Sequence, residues 1–119
     1  MLLNSAGEYV LFDFDAAAIA FSVYDITVIC DMTDYFTLSD QKYSETARMV
    51  ERFLKGYQEY SRISEEEIRH IYDFIAIRHY EVQATIIENL GLQCVDKDFI
   101  DSQFDWLMRW DKLGETRIR

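Results

Sequence analysis

A mainly helical fold with a short N-terminal β-hairpin is predicted by three features of this 119-residue chain. The repeat of apolar residues changes from about two to about 3.6 after Phe14, which separates a strand-like start from a helical remainder. Ser64 and Glu67 form a capping box and Gly91 is placed as a stop, so one long helix is bracketed at both ends. The sequence holds no proline, no Gly/Ser-rich linker and no internal repeat, so 1–119 reads as one domain.

Each element has a local signal. Leu2-Leu3 and Tyr9 to Phe12 are strand-like, and Asn4 to Glu8 supply the polar, glycine-containing turn between them. Residues 1–15 are therefore a hairpin that ends in Asp13-Phe14-Asp15, and 22–113 hold about four helices. The first, about Ser22 to Phe36, is apolar on most sides and is expected to be a largely buried core helix. The second, about Asp40 to Ser61, carries Tyr43, Ala47, Val50, Leu54 and Tyr57 on one stripe, with Phe53 and Tyr60 beside it and Glu51 and Lys55 as an exposed pair one turn apart. The third starts at the Ser64 cap, where Glu65 and Glu66 add negative charge at the positive end of the helix dipole. It runs to about Leu90 with Ile68, Ile71, Ile75, Val82 and Ile86 on one face. The fourth, about Lys97 to Leu113, lines up Phe99, Gln103, Trp106 and Trp110, with Ile100, Phe104 and Leu107 adjacent. Residues 114–119 are polar and expected to fray.

Composition narrows the partners. Half of the residues are hydrophobic, including eight Phe, eight Tyr and two Trp, which is enough for a core. Twelve Lys plus Arg against 22 Asp plus Glu give a net charge of −10, which repels nucleic-acid backbones and anionic membranes. No nucleic-acid or membrane partner is expected. An acidic surface also suits a cationic small molecule, although acidity more commonly serves solubility. Cys30 and Cys94 form no C-x-x-C pair, so two reduced thiols are expected rather than a zinc site or a disulfide framework. No basic n-region followed by an apolar core opens the sequence and no stretch approaches 18 apolar residues, so the expected location is cytoplasmic.

The chemically suggestive stretch is LFDFDAAAIAFSVYD, Leu11 to Asp25. Aspartates at strand ends often only cap a turn or the next helix. Mg²⁺, however, binds through one or two carboxylates and completes its shell with waters and substrate phosphates, so Asp13 and Asp15 are candidate metal ligands. Other features have plainer readings. The helix-spaced aromatics are packing residues or, in the sharper alternative, a box whose faces hold a quaternary ammonium. His79 lies near the apolar face of the third helix, where a buried or half-buried histidine with a carboxylate or carbonyl partner is expected rather than a catalytic base. His70 has no partner at metal-ligand spacing.

Leu2-Leu3, Asn4 to Glu8, Tyr9 to Phe12, Asp13-Phe14-Asp15, Ala17 and Tyr24-Asp25-Ile26 together resemble, in register and without a gap, the end of the catalytic region in the aminoglycoside phosphotransferase and choline kinase-like superfamily of small-molecule kinases. Phe53 to Tyr57, Ser64 to Glu67 and Arg78 are similar to the helical subdomain of the homoserine kinase and stress-response kinase-like branch. The resemblance implies the helical C-terminal subdomain of a protein kinase-like α+β fold. It also implies dependence on Mg²⁺ and ATP and a small-molecule hydroxyl acceptor, cationic in the aminoglycoside and choline members. By the same resemblance Asp13 is the metal ligand, Asp15 supports it more weakly, and Asp25 is structural, holding the catalytic-loop backbone. The family's catalytic aspartate and second metal-binding asparagine belong to an H-G-D-x-x-x-x-N loop just ahead of the first strand, and the sequence contains no H-G-D, no Gly-rich phosphate loop and no strand lysine to grip ATP. Catalytic residues are therefore expected outside this chain.

Two expectations result. The chain is the C-terminal part of an ATP- and Mg²⁺-dependent phosphotransferase, inactive alone, or it is a non-catalytic helical interaction or oligomerisation module derived from such a kinase, assembling through exposed apolar helix faces.

Overall fold

The computed structural model describes residues 2–10, 22–34 and 36–118. They form a mainly helical fold with a short antiparallel hairpin at the N-terminal end. Strands β1 (Leu2–Leu3) and β2 (Tyr9–Val10) pair Leu2 with Val10 and Leu3 with Tyr9. Asn4 organises the turn, its Oδ1 accepting from the amides of Ala6 at 3.0 Å and Glu8 at 2.9 Å. Gly7 takes φ +77°, a left-handed conformation that favours glycine. All four strand residues are exposed. Leu11 and Phe12, expected to extend the second strand, lie outside the described residues.

Helix α1 (Ser22–Cys30) packs chiefly along α3 (Glu65–Leu90) and also against α2 (Asp40–Tyr57). Val23, Ile26, Thr27 and Cys30 are buried, and the Thr27 hydroxyl donates to the Val23 carbonyl at 2.9 Å, so this polar side chain enters the core satisfied. The helix stops six residues before the expected Phe36. Asp31 and Asp34 end it, because their carboxylates accept from the amides of Thr33 at 2.9 Å and Phe36 at 2.8 Å, the short Asx turns that compete with helix. The Met32 amide turns aside to Thr46 Oγ1 on α2, at 3.0 Å. Nor is α1 wholly buried, since Val28 and Ile29 are exposed.

Helix α2 starts at the Ser39 cap, whose hydroxyl accepts from the Lys42 amide. It ends four residues ahead of the expected Ser61, in turns that run from Tyr57 to Ser61. Tyr43 and Val50 are buried, Ala47, Phe53, Leu54 and Tyr57 pack at the edge of the core, and Tyr60 projects into solvent. Glu51 and Lys55 form the expected surface pair, at 3.9 Å.

Both ends of α3 are as expected. Ser64 and Glu67 exchange side-chain and backbone hydrogen bonds in a complete capping box, and Gly91 closes the helix with φ +85°. Ile71 and Ile75 are wholly buried, with Ile68 packed beside them. A 3₁₀ turn (Leu92–Cys94) leads to α4 (Lys97–Ile118). Residues 114–118, expected as a frayed tail, continue that helix, with Leu113 anchoring the preceding turn on the core. Trp106 and Trp110 are buried, whereas Ile100, Phe104 and Leu107, on the adjoining side, are exposed.

The core is closed by an aromatic column. Trp106 and Trp110 stack at 5.3 Å and 10°, and Trp110 meets Tyr43 edge-on at 5.0 Å. Each indole N–H has a carbonyl acceptor, Asp34 for Trp106 at 3.2 Å and Tyr72 for Trp110 at 3.1 Å, so burying these rings strands no donor.

Candidate functional site

Asp13 and Asp15, the predicted metal ligands, lie outside the described residues. Asp25 sits in the first turn of α1, facing solvent, where a carboxylate also suits the positive end of the helix dipole. Among the described residues no three His, Cys, Asp or Glu side chains are grouped so as to hold a metal ion. The aromatic-box alternative finds its residues dispersed: Tyr43 is in the core, Phe53 and Tyr57 stack on each other at 5.7 Å, and Tyr60 is 91% exposed.

The structure instead brings together a polar cluster that spacing alone did not reveal, where the end of α1 meets α3 and α4. Asp31 has a side chain only 1% exposed, and it accepts from Arg78 Nη1 at 3.2 Å as well as from the Thr33 amide and hydroxyl. One residue further along α3, His79 has no exposed surface. Its ring lies parallel to Trp106 at 3.8 Å, and its Nε2–H donates to Gln103 Oε1 at 2.7 Å. Burial lowers the His79 pKa, against the opposing pull of the Gln103 bond and the Asp31 charge. The expected carbonyl partner is thus a side-chain amide oxygen. One turn away, Tyr24 of α1 donates to the Glu81 carboxylate, and this bond, reinforced by burial, raises the Tyr24 pKa. His70 is exposed and pairs with Asp73 at 2.9 Å.

Apart from His79 Nδ1, which has no hydrogen-bond partner among the described residues, the side chains of this cluster pair with one another. An open groove of about 560 Å³ lies elsewhere, between the start of α2 and the end of α4, lined by Asp40, Asp105, Asp111 and Glu115 with Arg109 and Lys112. Cys30 and Cys94 are free thiols, and burial pushes Cys30 up to about 11. No helix of the described residues is long and apolar enough to cross a membrane. Comparison with family models, curated proteins and solved structures finds no match.

Proposed function

We propose that this chain is the helical, acceptor-side part of an ATP- and Mg²⁺-dependent small-molecule kinase resembling the aminoglycoside phosphotransferase and choline kinase-like enzymes, competent only together with a nucleotide-binding part. The observation that carries this reading is the N-terminal hairpin. Its strands and turn fall on the residues that carry the resemblance, and Leu2, Leu3 and Tyr9 are each more than 60% exposed, as a hairpin awaiting a cover would be.

In this reading α1 to α4 form the acceptor wall, and the buried Asp31–Arg78 pair fixes how α1 meets α3. The metal falls to Asp13, with a weaker supporting role for Asp15, together with groups outside this chain. Mg²⁺, when bound, would neutralise charge developing on the phosphoryl oxygens. The acceptor is a small hydroxyl compound, and the net charge of −10 suits a cationic one.

Calorimetry and ADP production test the proposal. The chain alone should give no saturable heat with Mg²⁺ and ATP. Joined to the polypeptide encoded immediately upstream in the same frame, it should release ADP in the presence of acceptor, and Asp13→Ala should lower that rate by about 10²-fold or more. Saturable nucleotide binding by the chain alone, or ADP release indifferent to Asp13→Ala, would refute it.

The second reading, a non-catalytic assembly module, is favoured by α4. Ile100, Phe104 and Met108 recur along its outer face at 52–64% exposure, with Leu107 beside them. Light scattering decides this reading: a dimer or larger species that Phe104→Asp dissociates supports it, and a cooperatively unfolding monomer at all concentrations excludes it.

A further inference from the structure

We propose that His79 is an acid-sensitive latch fastening α4 to the α1–α3 pair. Its ring makes two contacts with α4, the stack on Trp106 and the 2.7 Å bond to Gln103, and it does so without any exposed surface. Because Gln103 Oε1 accepts, the hydrogen resides on Nε2 and the lone pair on Nδ1. Nδ1 has no hydrogen-bond partner among the described residues. A second proton can enter only there, creating a buried imidazolium N–H without an acceptor. Turning the Gln103 amide over exchanges donor and acceptor but not the outcome, since the incoming proton then displaces the Nε2 bond.

The groups facing the ring oppose this only weakly. From α4 they are the neutral Gln103 and Trp106, the indole face offering some attraction to a cation. On α3, Tyr80 meets the ring edge-on at 5.3 Å. From the segment after α1, the charge that acts on His79 is Asp31, whose carboxylate is already engaged by Arg78 and Thr33. Among the described residues, four other hydrogen bonds tie α4 to the body, Tyr80 to the Gln103 carbonyl at 3.2 Å, Trp106 to the Asp34 carbonyl, Trp110 to the Tyr72 carbonyl and Arg109 to the Leu38 carbonyl at 3.1 Å, and none titrates in this range, burial having raised the Tyr80 hydroxyl further still.

The direction of the shift sets the sign. The folded-state value lies below the ordinary 6.5, so the latch is intact above that pH and weakens as the pH falls from it toward the folded value. Within this window the opening constant of α4 rises by up to about tenfold per pH unit, the linkage for one proton.

The test follows the full chain from pH 7.5 to 5 by histidine ring NMR, near-ultraviolet circular dichroism of Trp106 and Trp110, and hydrogen exchange of α4 corrected for intrinsic rates. Uptake of a proton by His79 is expected to coincide with loss of the tryptophan signal and faster opening of α4. His70→Asn should behave as the parent chain, and His79→Phe combined with Gln103→Leu should be flat across the range. The proposal is overturned if the ring titrates while α4 stays closed, if α4 opens with His79 still neutral, or if the double variant responds to acid as the parent does. Should that variant not fold, the coincidence or separation of the two events in the parent chain decides.

Discussion

Removing the Asp31 carboxylate should cost this protein a large part of its stability, although the residue lies in a loop. The side chain is 1% exposed, its Arg78 partner is 17% exposed, and the Thr33 amide and hydroxyl complete its shell. Truncating one member of a buried pair typically costs ~3–5 kcal/mol, because the other charge keeps its burial and loses that part of its compensation. Partial access of water to Arg78 places Asp31→Ala at the lower end, about 3 kcal/mol. Small domains have only ~5–15 kcal/mol in total. With a urea slope of about 1.5–2 kcal/mol/M, the midpoint should fall by about 1.5–2 M. Asp31→Asn, which keeps the shape and an acceptor for Thr33, should lose less. A cycle adding Arg78→Leu should recover a coupling above that of exposed pairs, which is about 0.2–1 kcal/mol. Circular dichroism at 222 nm followed through urea unfolding is the assay. An Asp31→Ala cost within the exposed-pair range would refute the reasoning, because it would mean that the pair is solvated or absent in solution.

Local chemistry leads to two further outcomes. Ser64→Ala should destabilise by about 1 kcal/mol in urea unfolding, as loss of an N-cap does, and the Glu67 half of the box, whose pKa the Ser64 amide lowers, should be lost as the pH falls below the ordinary glutamate range. Cys94, half-buried, should react with a thiol reagent in the folded chain, while Cys30, wholly buried and neutral up to about 11, should react only on unfolding. Equal rates for the two thiols in the native protein would contradict the packing of α1.

The features that local chemistry decides are those the sequence carried openly. Ser64, Glu67 and Gly91 mark the ends of α3 because a cap needs only a hydroxyl, a carboxylate three residues on and a residue tolerant of positive φ. The end of α1 was hidden because Asp31 is held by Arg78, 47 positions away, and Met32 by Thr46 on another helix. Apolar spacing in that region continues to Phe36, and long-range hydrogen bonds override it. The α4 pattern shows a wide apolar face, but spacing cannot say which half meets α3, and Trp106 and Trp110 took the core while Ile100 and Phe104 were left outside. His79 was readable as a core histidine, whereas its alignment with Gln103 and Trp106 depends on how α3 and α4 cross. Asp25 proves exposed, a position that the Tyr24-Asp25-Ile26 motif by itself does not specify.

Asp13-Phe14-Asp15 is proposed to belong to a kinase site completed by other polypeptide. The coding sequence immediately upstream, read in the same frame, tests it most directly. An H-G-D-x-x-x-x-N loop whose asparagine falls just before Leu2, preceded by a nucleotide-binding region, is the expected result, and stop codons throughout that frame would contradict the proposed kinase site.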